Sequence, residues 1–200
     1  MRIPEEKEQR GFNLIELMVV LSVMAVALGV GVPVFSAAAA NGRMSSATND
    51  LLASVRMARS EALTRRARRV ALCPTPDGAG DCIAGGNLGA GWTVFLDNDA
   101  DGAIGVDDVV LQRHAALEAA DLVGGLTISP GADDLAFNAK GELPDGVGAI
   151  EIQLCDSRGD VDTGGDVAAG RWIRIGPYGQ PQLARQRADV QSARNSLGGC

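Results

Sequence analysis

The sequence predicts an α+β protein: a long N-terminal helix, membrane-spanning at first and amphipathic afterwards, packed on an antiparallel β-sheet domain. Three observations carry this. The chain from Phe12 to Val32 is almost wholly apolar. Beyond it, apolar side chains recur at spacings of three and four, the period of a helix. After residue 69 the pattern becomes short β-like runs separated by turns rich in Gly and Asp.

The 21 residues from Phe12 to Val32 would span about 31 Å as a helix, enough to cross a bilayer. Glu16 is the only charge in that run, and Asn13 and Ser22 are its only other polar side chains. A carboxylate at that depth costs about 3 kcal/mol on insertion scales, so it calls for a partner. A cut between Gly11 and Phe12 would create an α-amine four residues before Glu16. On a neighbouring subunit, that amine is a natural counter-charge. Arg2, Lys7 and Arg10 precede the run and place the N-terminus in the cytoplasm and the remainder in the periplasm. A plain membrane anchor is one competing reading; the other is an ordinary secretory signal cleaved near Ser36-Ala37-Ala38-Ala39-Ala40. The length of the run, the embedded acid and the Gly-Phe junction oppose it.

Leader and membrane helix removed, about 160 residues remain, the size of one domain with its own core. Its charge is uneven. Residues 43–69 carry seven arginines against Asp50 and Glu61, a net +5. Residues 70–170 carry three basic and eighteen acidic side chains, a net −15, and residues 171–200 return to +4. An acidic middle excludes a wholly nucleic-acid-coating surface and leaves room for a local basic patch. The four cysteines lie outside the membrane run, and in an exported domain they read as disulfides with three possible pairings. Cys73 and Cys82 flank a turn-rich segment and are expected to pair locally, leaving Cys155 with Cys200. Metal binding by these thiols is the alternative, without a C-x-x-C spacing to support it.

After Pro33 the helical pattern continues: Met44, Ala47, Leu51, Val55, Ala58 and Ala62 share one stripe. The helix is expected to end near Arg66–Arg69, where basic side chains suit the C-terminal end of the dipole. Strands are expected at 69–73, Trp92–Leu96, Val109–His114, Leu126–Ser129, Leu135–Asn138, Ile150–Cys155 and Trp172–Ile175, with a last one near Gln182–Leu183. Ile150-Glu151-Ile152-Gln153-Leu154 alternates clearly, as does Trp172-Ile173-Arg174-Ile175.

Within Asp97–Asp108, acids occupy the first, third, fifth and twelfth places, with Gly102 sixth. Asp97, Asp99, Asp101 and Asp108 therefore match a calcium-loop template in part, since hard oxygen ligands at that spacing can wrap Ca²⁺. Asp108 replaces the usual bidentate Glu and the flanks read as strands, so a polar hairpin loop is the alternative. Calcium is the one cofactor the sequence suggests. The sole histidine, His114, stands at a strand end among Gln112, Arg113 and Ala115. No nucleophile-elbow, P-loop or paired-metal spacing points to an enzyme.

Gly11-Phe12-Asn13-Leu14-Ile15-Glu16-Leu17-Met18-Val19-Val20-Leu21 resembles the class III signal of type IV prepilins and type II secretion pseudopilins. The resemblance implies cleavage after Gly11 by a prepilin peptidase, N-methylation of Phe12, and an assembly role for Glu16, the fifth mature residue. Pro33 falls where many pilins carry a helix-loosening proline. The body resembles the GspH/FimT group of minor pilins and pseudopilins. The matching pieces are Ala58-Arg59-Ser60-Glu61-Ala62, Val70-Ala71-Leu72-Cys73-Pro74, Gly91-Trp92-Thr93-Val94-Phe95-Leu96-Asp97, Leu135-Ala136-Phe137-Asn138 and Leu154-Cys155-Asp156-Ser157-Arg158-Gly159.

That likeness implies a type IV pilin-like fold and a non-enzymatic subunit that primes or caps a pilus or a secretion pseudopilus. The implied parts are a leader at 1–11, a transmembrane and filament-core helix at 12–32, its amphipathic continuation at 33–69 and a periplasmic GspH-like domain at 70–200. The implied partners are other minor and major pilins or pseudopilins, the prepilin peptidase, the inner-membrane assembly platform and the membrane itself. Some relatives bind DNA through a C-terminal Gly-Arg-x-Arg motif. Here Gly170-Arg171-Trp172-Ile173-Arg174 has the arginines with one extra residue between them, and Gln180 and Gln182 stand where the motif is expected. Arg171, Arg174, Arg185 and Arg187 are the candidate phosphate contacts, although Arg171 and Arg174 would leave a regular strand on opposite faces.

Overall fold

A computed structural model describes residues 13–66, 68–83, 87–117, 127–128 and 134–197. One helix, α1, runs Leu14–Arg65, and the chain divides into two compact units at Ala40/Asn41. In the first unit, α1 continues through Pro33, which is accommodated inside it. In the second, the stripe Met44, Ala47, Leu51, Val55, Ala58 and Ala62 is buried. The helix stops at Arg65 because Arg66 takes a left-handed conformation, φ 50°, a common way to end a helix.

Among the described residues eight strands follow: β1 (Val70–Pro74), β2 (Trp92–Leu96), β3 (Val109–His114), β4 (Thr127–Ile128), β5 (Leu135–Phe137), β6 (Ile150–Leu154), β7 (Val167–Ile175) and β8 (Pro181–Gln186). They form two antiparallel four-stranded sheets, ordered β3-β2-β1-β5 and β4-β6-β7-β8. The sequence pattern predicts one β domain without this division. Both sheets bury apolar side chains against the same helix: Val70, Leu72, Val94 and Phe137 from the first, Ile150, Ile152, Ile173 and Ile175 from the second. The other face of the first sheet buries Ala71, Cys73, Phe95 and Ala136, with Cys82, Ile104 and Val110 packed over them. Burial on both faces explains why β1 reads as a continuous apolar run, and β2 as one broken only by Thr93, rather than as alternating strands.

Two differences from expectation stand out. Strand β7 begins at Val167, five residues before the expected start, because Ala168-Ala169-Gly170 carry no hydrophobic alternation. The C-terminal segment adds a helix, α2 (Arg187–Leu197), where the sequence pattern predicts no element. It packs on the second sheet through Val190, whose carbonyl accepts from Gln153 Nε2 at 3.1 Å.

Candidate functional site

From Leu14 to Ala40 the helix is about 40 Å long and carries one charge, Glu16. Its large apolar side chains are exposed from Leu14 (75%) to Phe35 (78%), and an 18-residue window reaches a mean hydropathy of 2.5. An apolar surface this long and continuous suits lipid or the helices of neighbouring subunits. Glu16 is itself exposed on it. Gly11 and Phe12 lie outside the described residues.

The loop Asp97–Asp108 joins β2 to β3 and closes largely on itself. Asp97 accepts from the Ala100 and Gly102 amides at 2.6 and 3.1 Å and lies 3.0 Å from Arg69 Nε. Asp108 accepts from the Asn98 and Gly105 amides at 2.8 and 2.7 Å, and Asp101 from the Ala103 amide at 2.7 Å. Asp97, Asp99, Asp101 and Asp108 can each bring an oxygen within 4.8 Å of the others, a compact enough set to surround a cation. Arg69 already supplies one positive charge there and also holds Asp134, Nη2 to Oδ2 at 2.6 Å. Burial pushes the Asp97 carboxyl above the usual carboxylate range. The Gly102 and Ala100 amides and then Arg69 oppose that rise, and Asp108 adds to it.

Of the four arginines considered for phosphate contact, Arg171 is corrected by the structure. It is 5% exposed, and its Nη1 donates to the Ala168, Ala169 and Gly170 carbonyls at 2.6, 3.0 and 2.9 Å. The register between β7 and β8 slips between Val167 and Trp172, and the guanidinium caps carbonyls in that bulge. Burial, then Arg185 and Arg158, lower its pKa from the ordinary value, with Asp156 opposing. Its burial is legible in the alternation, because Arg171 shares the inward face with Ile173 and Ile175. Arg174, Arg185 and Arg187 are exposed, Arg174 with its Nε 3.7 Å from Glu151 Oε1.

Cys73 and Cys82 form a disulfide, Cα–Cα 5.5 Å. Cys155 is disulfide-bonded, while Cys200 lies outside the described residues. Sequence reasoning missed the clamps that join distant segments. Arg158 donates to Asn41 Oδ1 at 2.8 Å and pairs with buried Asp156. Arg59 donates to the Gly141 and Tyr178 carbonyls at 2.8 and 3.2 Å. Single arginines in a sequence do not announce carbonyl partners so far away.

The family described as type II transport protein GspH matches residues 47–175, and the prokaryotic N-terminal methylation motif matches residues 7–32. The chain belongs to the GspH family. The type IV minor pilin FimU of Pseudomonas aeruginosa is similar in structure, with 26% identity and a TM-score of 0.51 over 72% of this chain and 89% of FimU. A second crystal form of FimU matches at 23% identity and a TM-score of 0.45, over 70% and 91% of the two chains. No curated protein matches by sequence. This GspH-family chain is therefore pilin-like in fold: a long N-terminal helix and antiparallel sheets, with an N-terminal methylation motif.

Proposed function

We propose that the chain is a minor pilin that helps initiate or cap a type IV pilus, acting by assembly rather than by catalysis. The observation that carries this is Glu16, a single carboxylate on an otherwise apolar exposed helix and inside the methylation motif. In this reading the prepilin peptidase cuts between Gly11 and Phe12 and methylates Phe12. The new amine of one subunit then meets Glu16 of its neighbour, so neither charge stays unpaired in lipid. Before recruitment the helix spans the inner membrane, N-terminus in the cytoplasm and β domain in the periplasm. The inner-membrane assembly platform then lifts it into the filament beside other minor and major pilins. Intact-mass spectrometry tests the processing step: co-expression with a prepilin peptidase should give a mature chain beginning at N-methylated Phe12. A chain that keeps its leader, or is cut near Ala40, would contradict it.

A second reading is a minor pseudopilin of the H type in a type II secretion system, favoured by the description of the family that matches residues 47–175. The two share the same helix and processing, and deletion separates them: loss of pili marks the first, loss of secreted proteins the second. A third, DNA capture by an uptake pilus, has three exposed arginines in its favour: Arg174, Arg185 and Arg187.

A further inference from the structure

His114, the one histidine of the chain, closes β3 and lies flat on Trp92 of β2, ring centroids 3.8 Å apart and planes 6° from parallel. Its Nδ1 is 2.7 Å from the Ala115 carbonyl oxygen. A carbonyl only accepts, so Nδ1 carries the hydrogen and the Nε2 of a neutral ring is a bare lone pair. That Nε2 faces Asp50 Oδ2 of α1 at 4.0 Å.

The frame around the stack is stiff. Trp92 Nε1 donates to Ser54 Oγ at 3.0 Å, and Ser54 Oγ donates to the Asp50 carbonyl at 3.1 Å. One turn of α1 thus meets both rings. Behind the histidine, Gly78 and Gly91 hold φ of 68° and 116°, and a Cβ on either would run into the His114 carbonyl. Arg113 Nη1 donates to the Gly78 carbonyl at 2.9 Å and fixes the same corner.

We propose that His114 is a proton-operated contact between the first sheet and α1. Uptake of a proton from water at Nε2 converts a lone pair facing a carboxylate into an N–H that donates to it. The gap to Asp50 closes to an ion pair, and the imidazolium lies on the indole face as a cation–π pair. The other charged groups on the surrounding elements are Arg43, Arg56, Arg59, Glu61 and Arg65 on α1 beyond Ala40, Asp77 in the turn Pro76–Gly78, and Arg113 on β3. Strand β2 carries none, and among the described residues Asp50 is the acid within ion-pair distance. Mild acidification therefore tightens the seam between helix and sheet.

Trp92 emission reads this directly, because a protonated imidazole stacked on an indole quenches it. The full chain in detergent would be titrated from pH 8 to pH 5, beside His114→Gln and Asp50→Asn. Wild-type emission should fall on acidification, and His114→Gln should stay flat and supply the Trp172 background. The thermal midpoint of the wild type should also rise relative to that of Asp50→Asn between pH 8 and pH 5, because the variant lacks the carboxylate that the Nε2–H would meet. Asp50 is half exposed, so its variant keeps the fold and the comparison stands without His114→Gln. Wild-type emission that ignores pH, or a difference in thermal midpoint between wild type and Asp50→Asn that is the same at pH 8 and pH 5, would overturn the proposal.

Discussion

Trp92 donates its indole N–H to the Ser54 hydroxyl at 3.0 Å, across 38 residues of sequence, with both residues fully buried. It is a polar link between α1 and the first sheet inside an otherwise apolar core. Replacing Ser54 with Ala should leave the indole N–H unpaired and cost about 1–3 kcal/mol. The thermal midpoint should fall by about 2–4 °C per kcal/mol. An unchanged midpoint would show that the link contributes nothing.

Arg171→Gln should also destabilise, by about 2 kcal/mol, because three carbonyls in the β7 bulge lose their charged donor. Arg185→Gln and Arg187→Gln, at exposed positions, should stay within about 0.5 kcal/mol of wild type. Denaturant melts of the three variants check this, and equal costs would contradict the structural role given to Arg171. In gel shifts, any DNA binding should weaken with salt and depend on the exposed arginines.

Asp97 gives a pH dependence with a definite sign. Its folded pKa lies above the usual carboxylate value, so its contribution is greatest at acid pH and is lost as pH rises through the folded value. The stability difference between wild type and Asp97→Asn should therefore shift in favour of wild type on going from pH 7 to pH 4. Urea melts at the two pH values read that difference, and a shift the other way would reverse the assignment.

The same loop makes a prediction about cations. Its carboxylates already accept the loop's own amides, and Arg69 neutralises Asp97. Calcium should bind no tighter than about the millimolar range of weak extracellular sites. Terbium luminescence that saturates at micromolar ion and disappears in Asp99→Asn would show a built site instead.

Much of this was legible in the sequence because it rests on periodicity. The stripe from Met44 to Ala62 is the buried face of α1, and Val109–His114 is a strand from end to end. Helix α2 was not legible: among its described side chains it buries only Val190, which leaves no apolar stripe to read. The split into two sheets was hidden for a different reason, since both bury similar side chains against one helix and local pattern carries no strand order. At the sites, the exposed acid on an apolar helix was plain, whereas the bonds of Arg69 to Asp97 and Asp134 join segments that only the tertiary fold brings together.

The most direct test of the proposed assembly role is Glu16→Ala, measured as incorporation of the mature subunit into sheared filaments. The variant should be cleaved, should remain in the membrane and should keep its Cys73–Cys82 disulfide, while its amount in filaments falls at least several-fold. Incorporation at the wild-type level would contradict pairing between Glu16 and the neighbouring amine, and with it the role given to the one charge between Leu14 and Ala40.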